Sequence, residues 1–148
     1  MLQRFESFVT GITVCYKYIQ KIKSMEMTEF GLKGAHVMCL FFLHHNPEGL
    51  TAAQLCQLCA EDKAAISRTI AFLQEQGYID AGEKKYRARL QLTESGLEVA
   101  RRVDCLIEQW VELGGDGLSE QERAVFYHAL ELIASNLRET IEKNQNNI

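Results

Sequence analysis

The chain predicts a mainly α fold with a small β-hairpin wing: a winged helix-turn-helix flanked by dimerisation helices. Three observations carry this. Two short amphipathic segments opening at Thr51 and Asp62 follow one another closely and stop at Gly77. Arg87 to Leu92 alternates polar and apolar residues at period two, the mark of a half-buried strand. Long apolar stripes at helical spacing lie on either side of this block. The expected organisation is one domain over residues 1–148. The winged helix-turn-helix takes about 32–93, and the dimerisation helices about 2–24 and 94–145.

The elements follow from local signals. Phe5, Phe8, Ile12, Tyr16, Ile19 and Ile22 recur in steps of three and four, one stripe of a long helix. Met25 to Gly34 is a connector, and Ala35 to His44 a nearly all-apolar helix buried on most sides. Pro47 and Gly49 break the chain, and Leu50 is expected to add a bridge residue to a small sheet. Thr51 caps a helix with Leu55, Leu58 and Cys56 inward. Asp62 caps the next, whose core face carries Ile66, Ile70 and Leu73 and whose open face carries Lys63, Ala64, Ser67, Arg68, Ala71 and Gln74. Tyr78-Ile79 starts a strand paired with Ala88, Leu90 and Leu92, with Arg87, Arg89 and Gln91 outward. Thr93 caps a long helix with Leu97, Ala100, Val103, Ile107, Trp110 and Leu113 inward. After Gly114-Gly115-Asp116-Gly117, a capping box over Ser119–Glu122 opens a last helix bearing Phe126, Leu130, Ile133, Leu137 and Ile141.

Composition bounds the function. The 148 residues, 47% hydrophobic and 24% charged, suit a globular domain with its own core. No apolar run is long enough to span a bilayer, and no signal-peptide layout opens the chain, so a cytoplasmic location without membrane contact is expected. The net charge of −4 is unusual for a chain that meets nucleic acid, but its distribution is not. From Asp62 to Arg89 six basic residues face four acidic ones, while much of the acid falls in the terminal helices.

Five scattered cysteines read as reduced, core-packed thiols. Cys56 and Cys59 lack the second pair that a structural zinc site needs, and nothing local to Cys15 or Cys39 activates either as an oxidation sensor. His36, His44, His45 and His128 match no compact ligand spacing. His44-His45 reads as a helix C-terminus favoured by the dipole. No metal and no cofactor is therefore expected. No phosphate loop, nucleophile motif or carboxylate pair points to an enzyme.

In this order and spacing the chain resembles the MarR family of winged-helix regulators over nearly its whole length. The resemblance rests on Phe30 to Leu43, on Leu73 to Gly77 closing the helix-turn-helix, on Leu92, Thr93 and Gly96, and on Leu118, Ser119 and Glu122. The wing departs from the family: where an Asp-x-Arg usually stands, Lys84 and Tyr86 are found, and the hairpin is shorter. The resemblance implies a homodimeric regulator of transcription, most often a repressor, on double-stranded DNA with an inverted repeat. It also implies a small-molecule effector, for which Tyr16 and Trp110 are candidates. Major-groove readout is assigned to Lys63, Ala65, Ser67, Arg68 and Thr69, and phosphate contact to Thr51 and Gln54. The wing contributes Lys84, Lys85, Arg87 and Arg89. Phe5, Phe8, Ile12, Phe126, Leu130, Ile133 and Leu137 are the expected dimer contacts. The competing class is a winged-helix protein-interaction module without DNA binding.

Overall fold

A computed structural model describes residues 1–80 and 88–145, apart from the side chains of Glu26 and Glu29. The chain divides into two compact units, Met1–Ile107 and Glu108–Ile148. In the first unit α1 (Leu2–Glu26) leads through a 3₁₀ turn (Thr28–Phe30) to α2 (Gly34–His44). Next come α3 (Ala52–Cys59), α4 (Lys63–Glu75), β1 (Ile79–Asp80), β2 (Gln91–Leu92) and the start of α5 (Glu94–Gly114).

Helix starts obey their caps. Thr51 and Gln54 form a capping box, each side chain taking the other's backbone N–H, at 3.3 and 2.9 Å. Asp62 accepts from the Ala65 N–H at 2.7 Å. Between α3 and α4 the chain turns on Ala60, held in the left-handed region at φ +53°, and the Glu61 N–H closes the turn on the Cys56 carbonyl. β1 and β2 run antiparallel with Ile79 opposite Leu92. The expected bridge is present, Leu50 exchanging two backbone hydrogen bonds with Leu90 at 3.1 and 2.8 Å.

The core sits where α2 meets α3 and α4. Val37, Cys39, Leu40 and Leu43 of α2 are buried with Leu55, Ile66, Leu73, Val99, Ala100 and Val103. Two inward expectations are corrected. Leu58 is 43% exposed, and Cys59 packs against the core instead. α3 rotates about Leu55 so that its 55, 56 and 59 positions face inward, the i, i+1, i+4 set of one helical face. Leu113, at the end of α5, is 75% exposed.

In the second unit, α5 ends at Gly114 and α6 (Glu120–Gln145) follows. Ser119 and Glu122 form the expected capping box at 2.8 and 3.3 Å. The two bonds to Ser119 hold the Glu122 carboxyl below its ordinary pKa. Arg123 reaches Glu112 at 3.5 Å and Glu120 at 3.7 Å. None of the described residues of α6 is buried.

Candidate nucleic-acid interface

α4 presents two faces. Ile66, Thr69 and Leu73 point into the core, while Lys63, Ala64, Ser67, Arg68, Ala71 and Gln74 are exposed, as the periodicity implied. Ala65 is half-buried at the edge. The expected contact at Thr69 is corrected: it is 3% exposed. Thr69 stands three residues after Ile66 and four before Leu73, so the helical repeat places it on the buried stripe. The open face is therefore small side chains at Ala64 and Ser67 flanked by the cations Lys63 and Arg68. Such a surface lets a backbone approach base edges while an arginine reaches past it.

Beside this face lies a cleft of about 370 Å³, lined among others by Lys33, His36, Ala65, Arg68, Thr69 and Phe72. Lys33, just before α2, thus shares a cleft with Arg68. Sequence reasoning passed over it because 35 positions separate them in the chain; the signal was a lone basic residue at a helix start. The Lys33 N–H donates to His36 Nδ1 at 3.1 Å. The His36 ring stacks on Phe72 with centroids 4.3 Å apart.

Burial, with Lys33 adding to it, lowers the His36 pKa below its ordinary value. The unfolded chain then takes up this proton at a higher pH than the fold does. The contribution is complete above about pH 6.5 and falls as pH drops from there towards the lowered folded value. Urea midpoints measured against pH should show wild type losing more stability than His36→Gln across that window. Parallel curves would show that His36 stays solvated.

Arg89 and Gln91 are tied to the rest of the fold. The Arg89 guanidinium donates to the Gly49 carbonyl at 2.9 Å, and the Gln91 amide to the Pro47 carbonyl at 3.0 Å. Both tie the outward face of the last strand to the turn after α2. Arg89 is exposed, yet one of its N–H groups is used inside the fold. Lys84, Lys85 and Arg87 lie outside the described residues. Thr51 and Gln54 stand together at the start of α3, their polar groups engaged with one another.

One further cluster escaped the sequence. Cys39 Sγ lies 3.7 Å from Cys59 Sγ, joining α2 to α3. The hydrogen bond to Cys59 and burial raise the Cys39 thiol above its ordinary pKa, and the same bond, with Lys23 nearby, lowers that of Cys59. Burial lowers the Lys23 ammonium in turn. Of the effector candidates, Tyr16 is 60% exposed on α1 and Trp110 is half-buried on α5. Neither lines the cleft beside α4.

A helix-turn-helix closed by a strand pair and a bridging residue defines a winged-helix protein. Residues 30–89 match the family model described as MarR family. Solved structures agree on the fold. The transcriptional regulator SlyA superposes with a TM-score of 0.83 at 24% identity, over 90% of this chain and 95% of that one. A MarR protein from Peptoclostridium difficile gives 0.82 at 21%, over 90% and 89%. A putative MarR family regulator from Listeria monocytogenes, complexed with a 26mer DNA, gives 0.81 at 21%, over 89% of each chain. No curated protein matches the sequence. No helix among the described residues is long and apolar enough to cross a membrane.

Proposed function

We propose that this chain is a homodimeric transcription regulator that binds an inverted repeat in double-stranded DNA and represses by occupying it. The observation that carries the reading is the open face of α4, where Lys63, Ser67 and Arg68 are exposed on a helix anchored through Ile66, Thr69 and Leu73. The Listeria relative's complex with DNA supports it. Ser67, Arg68, Lys63 and Ala65 enter the major groove, and Arg68 reads a base. Thr51 and Gln54 meet phosphates, with Lys33 added from the cleft. Lys84, Lys85, Arg87 and Arg89 extend the contact along the backbone. The two recognition helices stand about 34 Å apart, one DNA turn. A small-molecule effector would act by changing that distance.

The test is binding to operator and random duplex, followed over a range of salt. Wild type should bind both, with affinity falling steeply as salt rises. Arg68→Ala should weaken operator binding by about 1–3 kcal/mol, some five- to 150-fold, with an unchanged thermal melt. Binding to neither duplex at low salt would favour the protein-interaction module, for which the net charge of −4 speaks.

A further inference from the structure

The last residue of α2 and the one after it carry imidazoles that converge on a single carboxylate of α5. His44 Nδ1 lies 2.8 Å and His45 Nε2 3.1 Å from Asp104 Oδ2. The three atoms lie within 4.8 Å of one another. One carboxylate oxygen thus serves both rings, while the other, Oδ1, is buried with no hydrogen-bond partner among the described residues. A buried carboxylate oxygen left without a partner is costly unless a proton or cation compensates it. His45 stays 53% exposed, which leaves an entry path from solvent.

We propose that His44, His45 and Asp104 form a binding site for a zinc-class divalent cation that joins the C-terminus of α2 to α5. Two neutral imidazoles and a carboxylate are a borderline donor set suited to Zn²⁺ and its neighbours rather than to Ca²⁺ or Mg²⁺, which want more oxygens. Zinc holds nitrogen and oxygen ligands at roughly 2.0–2.2 Å, so tetrahedral ligand atoms sit about 3.4 Å apart. The two nitrogen–oxygen spacings of 2.8 and 3.1 Å would open by about 0.3–0.6 Å, and the two imidazole nitrogens lie within 4.8 Å of each other. The fourth position is left to water. The ion would fix the point where α2 gives way to the Asn46–Gly49 turn, which leads into the Leu50–Leu90 bridge and receives the Arg89 and Gln91 bonds. The site goes beyond the regulator reading and does not depend on DNA binding.

The experiment is calorimetric titration of metal-free, reduced, full-length protein with Zn²⁺, paralleled by Co²⁺ absorption. One ion should bind per chain. His45→Gln and Asp104→Asn should each weaken it at least about tenfold. Cys59→Ser and His128→Ala should leave it unchanged. Co²⁺ should show the d–d bands of a nitrogen/oxygen site without a thiolate charge-transfer band. The proposal is overturned by an absence of saturable binding, by equal affinity in His45→Gln, or by loss of the ion in Cys59→Ser, which would move the metal to the Cys39–Cys59 thiols. His45 lies largely outside the core, so that variant decides the matter even if Asp104→Asn fails to fold.

Discussion

Leu137→Asp should convert a dimer into a monomer that no longer holds DNA tightly. α6 carries Phe126, Ile133, Leu137 and Ile141 at 51%, 37%, 55% and 58% exposure, with Leu130 half-buried between them. α1 likewise exposes Phe5, Phe8 and Ile12 at 66%, 39% and 40%. Contiguous apolar patches above a few hundred Å² are rare on monomers. A second copy of the chain is the proposed cover, through a two-fold interface of more than about 2,000 Å² of the kind obligate dimers form. A carboxylate placed in its middle would be desolvated without a partner, which costs several kcal/mol at each of two symmetry-related sites. Sedimentation at micromolar concentration should give two chain masses for wild type and one for the variant. Operator affinity should collapse, because two half-sites are no longer read together. A well-folded wild type sedimenting as a single chain would remove both the dimer and the repression mechanism that rests on it.

The elements were legible where a residue type has a local job. Thr51, Asp62 and Ser119 announce helix starts because a side-chain oxygen must take an orphan N–H, and Gly77 announces a stop because φ is +72° there. The turn between α3 and α4 had no such flag, since Ala60 occupies the left-handed region without being glycine. The open face of α4 followed from period alone. Thr69 falls outside that face because its register lies between Ile66 and Leu73 on the buried stripe. What stayed hidden were partnerships across elements: Cys39 with Cys59, His44 and His45 with Asp104, and Arg89 with Gly49. Periodicity places a residue on a face of its own helix but not opposite a particular residue of another. The two histidines looked like a dipole-favoured helix end, yet their ring nitrogens turn to a carboxylate on α5.

Gly96→Ala should be the most damaging conservative substitution in the first unit. Thr93 caps α5: the Gly96 N–H donates to Thr93 Oγ1 at 3.1 Å, and that hydroxyl donates on to the Gly77 carbonyl at 2.6 Å. The Ser95 hydroxyl reaches the same carbonyl at 3.0 Å, and the Thr93 N–H reaches the Tyr78 carbonyl at 3.0 Å. The three bonds to Gly77 and Tyr78 clasp the first turn of α5 onto the chain leaving α4, and they work only if the two backbones touch. A Cβ on Gly96 would fall on the carbonyl oxygen of Tyr78, with the Tyr78 carbonyl carbon 2.7 Å away. The atoms in the way are backbone, so no rotamer change relieves the overlap and the clasp must open. Overpacking of this kind costs about 1–3 kcal/mol, and each lost hydrogen bond adds about 1 kcal/mol. With the three bonds to Gly77 and Tyr78 lost, the total of about 4–6 kcal/mol is a large share of the roughly 5–15 kcal/mol that holds a domain folded. The urea midpoint should fall sharply with an unchanged slope. Gly114→Ala is the matched control: it too is helical, has nothing within 4 Å of its would-be Cβ, and should be neutral or gain up to about 1 kcal/mol. Because the clasp also holds Gly77 and Tyr78, the residues that follow α4, Gly96→Ala protein that remains folded should bind operator more weakly, although residue 96 meets no DNA. Equal midpoints for the two alanine variants would show that α5 does not approach the end of α4 this closely.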